Sequence, residues 1–153
     1  MKIIKSSLLI LALCGLVLSS CKKSGSSPST TVSMSLKFNG TAKNTSIVVA
    51  SYYVSENTLQ VIGTFNSTEA VSLMINNIKT GTFALPSNDI VASYSTSADF
   101  ANTYLGDTGS ITITSFTSDA VSGTFQFTGT NPSNATGAVT EGKFYAKIFK
   151  VQQ

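Results

Sequence analysis

The sequence predicts an all-β protein: an antiparallel β-sandwich or partly closed barrel of about 8–10 short strands, following a signal peptide and a flexible tether. Three observations lead there. Apolar residues recur at every second position over most of residues 32–151, the spacing that gathers them on one face of a strand. Gly, Asn and Pro punctuate these runs at short intervals, as turns require. No stretch holds helical spacing for longer than about two turns.

Taken in order, Met34, Leu36 and Phe38 alternate with Ser35 and Lys37, and Asn39-Gly40 then supplies a hairpin turn. Ile47 to Val54 (IVVASYYV) is a β-branched and aromatic run closed by Glu56-Asn57. Leu59, Val61, Gly63 and Phe65 alternate, and so do Val71, Leu73 and Ile75. Phe83 and Leu85 precede Pro86, and Ile90 to Tyr94 reads as another short strand. Ser97 to Leu105 is the expected place for a short helical turn or a long loop. Gly109 to Phe116 (GSITITSF) puts Ile111 and Ile113 on one face and Thr112 and Thr114 on the other. Val121, Gly123, Phe125 and Phe127 share a face. In the last strand Gly142, Phe144, Ala146 and Ile148 are expected to point inward, with Lys143, Tyr145 and Lys147 outward.

Gly63-Thr64-Phe65, Gly81-Thr82-Phe83 and Gly123-Thr124-Phe125 repeat, and Gly142-Lys143-Phe144 is a near copy. Their spacing is too irregular for a repeat architecture. A Gly and the Phe two residues later face the same side of a strand, so a ring can cover a neighbouring bare glycine. Core packing is the expectation for these rings.

The N-terminus carries an address. Lys2 and Lys5 precede an apolar run from Leu8 to Leu18, and Ser19-Ser20 are small residues of the kind a signal peptidase accepts. That run falls well short of the roughly 20 residues a spanning helix needs. Residues 1–20 therefore read as a signal peptide, 21–31 as an anchor cysteine with its tether, and 32–153 as a single all-β domain. Leu18-Ser19-Ser20-Cys21 resembles the lipobox of bacterial lipoproteins, which implies that Cys21 carries lipid and that the membrane is a partner. Cys14 lies in the segment to be removed, so the mature chain would begin with its only cysteine and form no internal disulfide. Lys22 to Thr31 (KKSGSSPSTT) has almost no apolar surface to bury, the composition of a disordered linker.

Charge and composition exclude several functions. Without Lys2 and Lys5, eight Lys face seven acidic residues and the formal charge falls from +3 to +1. There is no Arg, and no basic stripe of the kind nucleic-acid binding requires. There is no His, which removes the commonest general base and metal ligand. Committing Cys21 to lipid removes thiol catalysis and thiolate zinc sites. The acids Glu56, Glu69, Asp89, Asp99, Asp107, Asp119 and Glu141 are scattered, and Ser87-Asn88-Asp89 reads as a turn rather than a calcium loop. No G-x-S-x-G elbow is present. Asp107-Thr108-Gly109 resembles the triplet of aspartic proteases, but Gly106 stands where an apolar strand should precede it. The expectation is a loop into the Gly109 strand, with Asp capping the turn and Gly at positive φ. No cofactor, metal or catalytic residue is expected.

The stretches LSSCKK, FNGTAKN, GSITITSF, SGTFQFTGTN and AVTEGKFYAKI resemble the small envelope lipoproteins of Bacteroidetes-type bacteria that carry an all-β domain of unknown function. Ile47 or Val48 stands where such proteins often carry Trp. The resemblance implies a lipid-anchored envelope protein and lends no catalytic residues. Lys22 and Lys23 in place of early acids imply the periplasmic face of the outer membrane, with the cell surface as the alternative. The leading expectation is a non-catalytic structural or interaction module meeting an envelope protein or glycan. The alternative is a carbohydrate or small-ligand binder using exposed Tyr52, Tyr94 and Tyr104, and the remote one is a hydrolase.

Overall fold

Antiparallel strands account for most of the backbone. The computed structural model describes residues 31–152. The signal peptide over 1–20, with Leu18, Ser19 and Ser20, and the anchor Cys21 lie outside the described residues, as does nearly all of the 21–31 segment. The strands are β1 (Ser33–Phe38), β2 (Thr41–Thr45), β3 (Val48–Tyr53), β4 (Thr58–Thr64) and β5 (Ala70–Ile75). They continue as β6 (Gly81–Leu85), β7 (Ile90–Ser95), β8 (Thr103–Phe116), β9 (Ala120–Thr130) and β10 (Thr136–Val151).

Pairing runs β3-β4-β5-β7-β8-β9-β10 and returns to β3, so the sheet is partly closed into a ring. The β10–β3 pair is parallel and the other pairs are antiparallel. The long strands β8 and β10 make closure possible, because each serves two neighbours along one edge. β8 pairs with β7 through residues 103–105 and with β6 through residues 109–113. β10 pairs with β1 through residues 139–145 and with β3 through residues 148–151. Bulges between Gly106 and Thr108 in β8, and between Val139 and Gly142 in β10, let these strands bend between neighbours.

The alternation read from the sequence fills the interior. Met34, Leu36, Leu59, Val61, Val71, Leu73, Ile75, Ile111, Ile113, Val121, Phe125, Phe127, Phe144 and Ala146 are all buried. Asn39 and Gly40 both take positive φ, the requirement of the two-residue turn between β1 and β2. Each apolar side chain withdrawn from water contributes roughly 1.5–3 kcal/mol, so this shared face holds the ring together.

Three expectations change. The glycine-covering rings act across strands rather than along them. Phe144 lies opposite Gly123 and Phe125 opposite Gly142, and each ring covers the partner strand's glycine. Gly63 is covered by the Met34 side chain instead, and Gly81 faces open space. The segment 97–105 holds the expected short helical turn, a 3₁₀ turn at Phe100–Asn102 capped by the Asp99 carboxylate, which accepts from the Ala101 N–H at 3.0 Å, but it ends sooner than expected. Thr103 already begins β8, because Tyr104 and Leu105 find partners in Tyr94 and Ser93 of β7. Asp107-Thr108-Gly109 therefore lies within β8 rather than in a loop before it, with Asp107 at the bulge.

Candidate functional site

The three tyrosines marked as ligand contacts do not share a surface. Tyr94 is fully buried, which corrects its reading as an exposed ring. It has the same parity along β7 as Ile90 and Ala92, both also buried, so the period of two that built the core carries Tyr94 inward with them. Tyr104 is half-buried beside it, its ring tilted against Phe38 at 5.2 Å and facing Gly137. Tyr52 is half-buried toward the other end of the ring of strands, edge-on to Phe116 at 5.3 Å. Its hydroxyl donates to Asn57 Oδ1 at 3.0 Å.

Around Tyr94 the fold assembles a polar network centred on Glu69. Phe38 stacks on the Tyr94 ring at 4.3 Å, and Phe65 packs at 6.3 Å. The Tyr94 hydroxyl donates to Glu69 Oε1 at 3.3 Å. Lys43 Nζ donates to both oxygens of the same carboxylate, at 2.9 and 3.0 Å, and Asn66 Nδ2 donates to Oε2 at 2.7 Å. Asn66 also fixes the turn that presents Glu69, because its Oδ1 accepts from the Thr68 and Glu69 N–H groups. Burial raises the Tyr94 pKa well above its ordinary value; the Glu69 charge and the Tyr94–Glu69 hydrogen bond add to this.

Tyr94 is accordingly a permanent neutral donor at physiological pH. Glu69 accepts from three side chains and has little capacity left for a substrate. The network is a clamp that joins β2, the β4–β5 turn and β7. Sequence reasoning missed it because Lys43, Glu69 and Tyr94 are each separated by about 25 residues and no local pattern pairs them.

A polar depression of about 400 Å³ lies beside β6 and is lined by Asn77, Lys79, Thr82, Phe83, Ser87 and Asp89, among others. β6 pairs with β8 on one edge, and among the described residues no strand pairs with the other. The Ser87 hydroxyl accepts from the Asp89 N–H at 3.0 Å, the turn geometry expected there. A smaller depression of about 300 Å³ lies over β8, β9 and β10 at Thr112, Thr124, Gln126, Glu141 and Lys143. Asp107 Oδ2 accepts from the Thr130 hydroxyl at 2.6 Å. Among the described residues no three His, Cys, Asp or Glu side chains converge on a metal-sized site, and no helix is long and apolar enough to cross a membrane.

No curated protein and no solved structure matches the chain. A family model described as "Domain of unknown function (DUF6252)" matches residues 28–147, and the chain belongs to that family.

Proposed function

We propose that this protein is a lipid-anchored component of a bacterial cell envelope whose β domain acts as a non-catalytic structural or interaction module. The observation that carries the reading is Leu18-Ser19-Ser20-Cys21 at the end of an apolar run, followed by ten polar or small residues that lead into β1. A single myristoyl-length chain binds membranes only reversibly, whereas two or more anchor stably at about 0.8 kcal/mol per buried CH₂. Lipid on Cys21 would thus fix the domain to a bilayer, on the periplasmic face of the outer membrane by resemblance. Labelled palmitate and membrane fractionation test the reading. Wild-type chain should take up label and sediment with membranes, while Cys21→Ser should do neither. A Cys21→Ser protein that remained in the membrane fraction would overturn it.

The depression beside β6 supports a second reading, a binder of glycans or other small polar ligands. Asn77, Lys79, Ser87 and Asp89 would supply the hydrogen bonds there, in place of the tyrosines. Titration with soluble envelope glycan fragments should then shift the Asn77 and Asp89 amide resonances. Unmoved resonances would remove this reading.

A further inference from the structure

On β10 the side chains of Lys143, Tyr145, Lys147 and Phe149 alternate with the buried Phe144 and Ala146, and so face away from the core. Phe149 is 62% exposed, a large apolar surface to leave in water. Through the parallel pairing of β10 with β3, Phe149 lies opposite Ser51, which places Val49 and Tyr53 beside it on the same outer face. Val49 is 46% exposed and pairs with Ile62 of β4, and Ile47, just before β3, is 64% exposed. The result is an apolar patch on β3, β4 and β10 bordered on the same face by the exposed Lys143 and Lys147. Among the described residues neither of these lysines has a carboxylate partner, because the ion pairs are Lys37–Glu141 and Lys43–Glu69. Asp119 stands beside this end of β10, its carbonyl accepting from the Ile148 N–H.

The chain reaches the domain at the same place. Ser33 pairs antiparallel with Tyr145, so the residues before it run toward the Lys147–Phe149 end of β10. Ten residues separate Cys21 from Val32, a span of at most about 40 Å even when fully extended. Lys22 and Lys23 add two further positive charges next to the anchor. An exposed apolar patch with a lysine border, close to where a lipidated cysteine would hold the chain, matches the chemistry of an anionic bilayer surface.

We propose that the outer face of β10 and β3 lies on an anionic lipid surface and fixes the orientation of the anchored domain. This rests on the reading that Cys21 is lipidated. Each lysine near a negatively charged surface should favour the docked orientation about fivefold, and salt should weaken it.

The chain contains no Trp, so a single introduced one reports its own surroundings. Mature protein purified from cells, as Phe149→Trp or as Phe100→Trp, is reconstituted into vesicles with brominated acyl chains. One set is phosphatidylcholine alone and the other is equal parts phosphatidylcholine and phosphatidylglycerol. Phe100 is equally exposed but lies in the β7–β8 connection, away from the patch. The Phe149→Trp protein should be quenched in the anionic vesicles, and its quenching should fall several-fold in phosphatidylcholine or high salt. The Phe100→Trp protein should stay unquenched in both. Adding Lys143→Glu and Lys147→Glu should abolish the quenching, and adding Val49→Ser alone should reduce it.

Equal quenching at the two positions, or quenching indifferent to lipid charge, overturns the proposal. So does a Val49→Ser or lysine-reversal effect on oligomer size with none on quenching, which would assign the patch to protein contact. Mass spectrometry of the same preparations reports the lipid on Cys21 separately. A lipidated chain with no preferential quenching sinks the surface alone, and an unlipidated chain sinks the anchor reading.

Discussion

Replacing Tyr94 with Phe isolates one group of the buried clamp, because the ring keeps its packing on Phe38 and Phe65 while the hydroxyl disappears. At pH 7 the variant loses a hydrogen bond to a carboxylate. Such bonds contribute about 1.5–3 kcal/mol. This one is long at 3.3 Å, and Glu69 keeps Lys43 and Asn66, so the loss should be near 1 kcal/mol. The wild-type balance changes in alkali. Folding raises the Tyr94 pKa above its ordinary 10.0, so the native state holds a proton that the unfolded chain releases. That contribution is fully present below pH 10 and is lost as pH rises beyond it. At pH 11 the loss amounts to about 1.4 kcal/mol, and the Phe variant does not suffer it. The variant should therefore be less stable than wild type at pH 7 and equal or better at pH 11. Urea denaturation followed by far-ultraviolet circular dichroism at both pH values reads the two gaps. A gap of the same size and sign at both would refute the burial of an ionisable hydroxyl at this point.

Phe144→Ala should cost about 3–5 kcal/mol, because the ring is buried across from Gly123 and leaves a cavity among Phe125 and its neighbours; the denaturation midpoint reads this directly. Gly109→Ala should cost about 2–5 kcal/mol from two causes, a backbone φ of +132° and a methyl group pressed against the Gln126 carbonyl and Phe127. An Ala variant as stable as wild type would mean that β8 and β9 pair differently there. Glu69→Gln should destabilise by about 1–2 kcal/mol, since it leaves Lys43 without its counter-charge in a site that solvent partly screens. The difference should shrink as salt is added, and salt-independent loss would argue for a purely steric cause.

Much of the fold was legible in the chain because strands write their burial at a period of two. Met34 through Phe38, Leu59 through Gly63, Val71 through Ile75 and Val121 through Phe127 show the alternation that the core uses. Asn39-Gly40 identified its turn because few residue pairs accept two consecutive positive φ angles. The start of β8 was not legible. Thr103, Tyr104 and Leu105 lack alternation of their own and become a strand through partners on β7 and β9.

What the sequence determined by itself is an alternating β chain, rich in turns, without histidine or arginine, with Cys21 in a setting that resembles a lipobox. These are local properties, fixed by neighbours a few residues apart. The tertiary structure decided what lies far apart in sequence and close in space: the return of β10 to β3, the rings of Phe125 and Phe144 over each other's partner glycines, and the Lys43–Glu69–Tyr94 clamp. It also decided that Tyr94 faces inward, packed on Phe38 and Phe65, since which face of a strand is the inside is set by what packs against it.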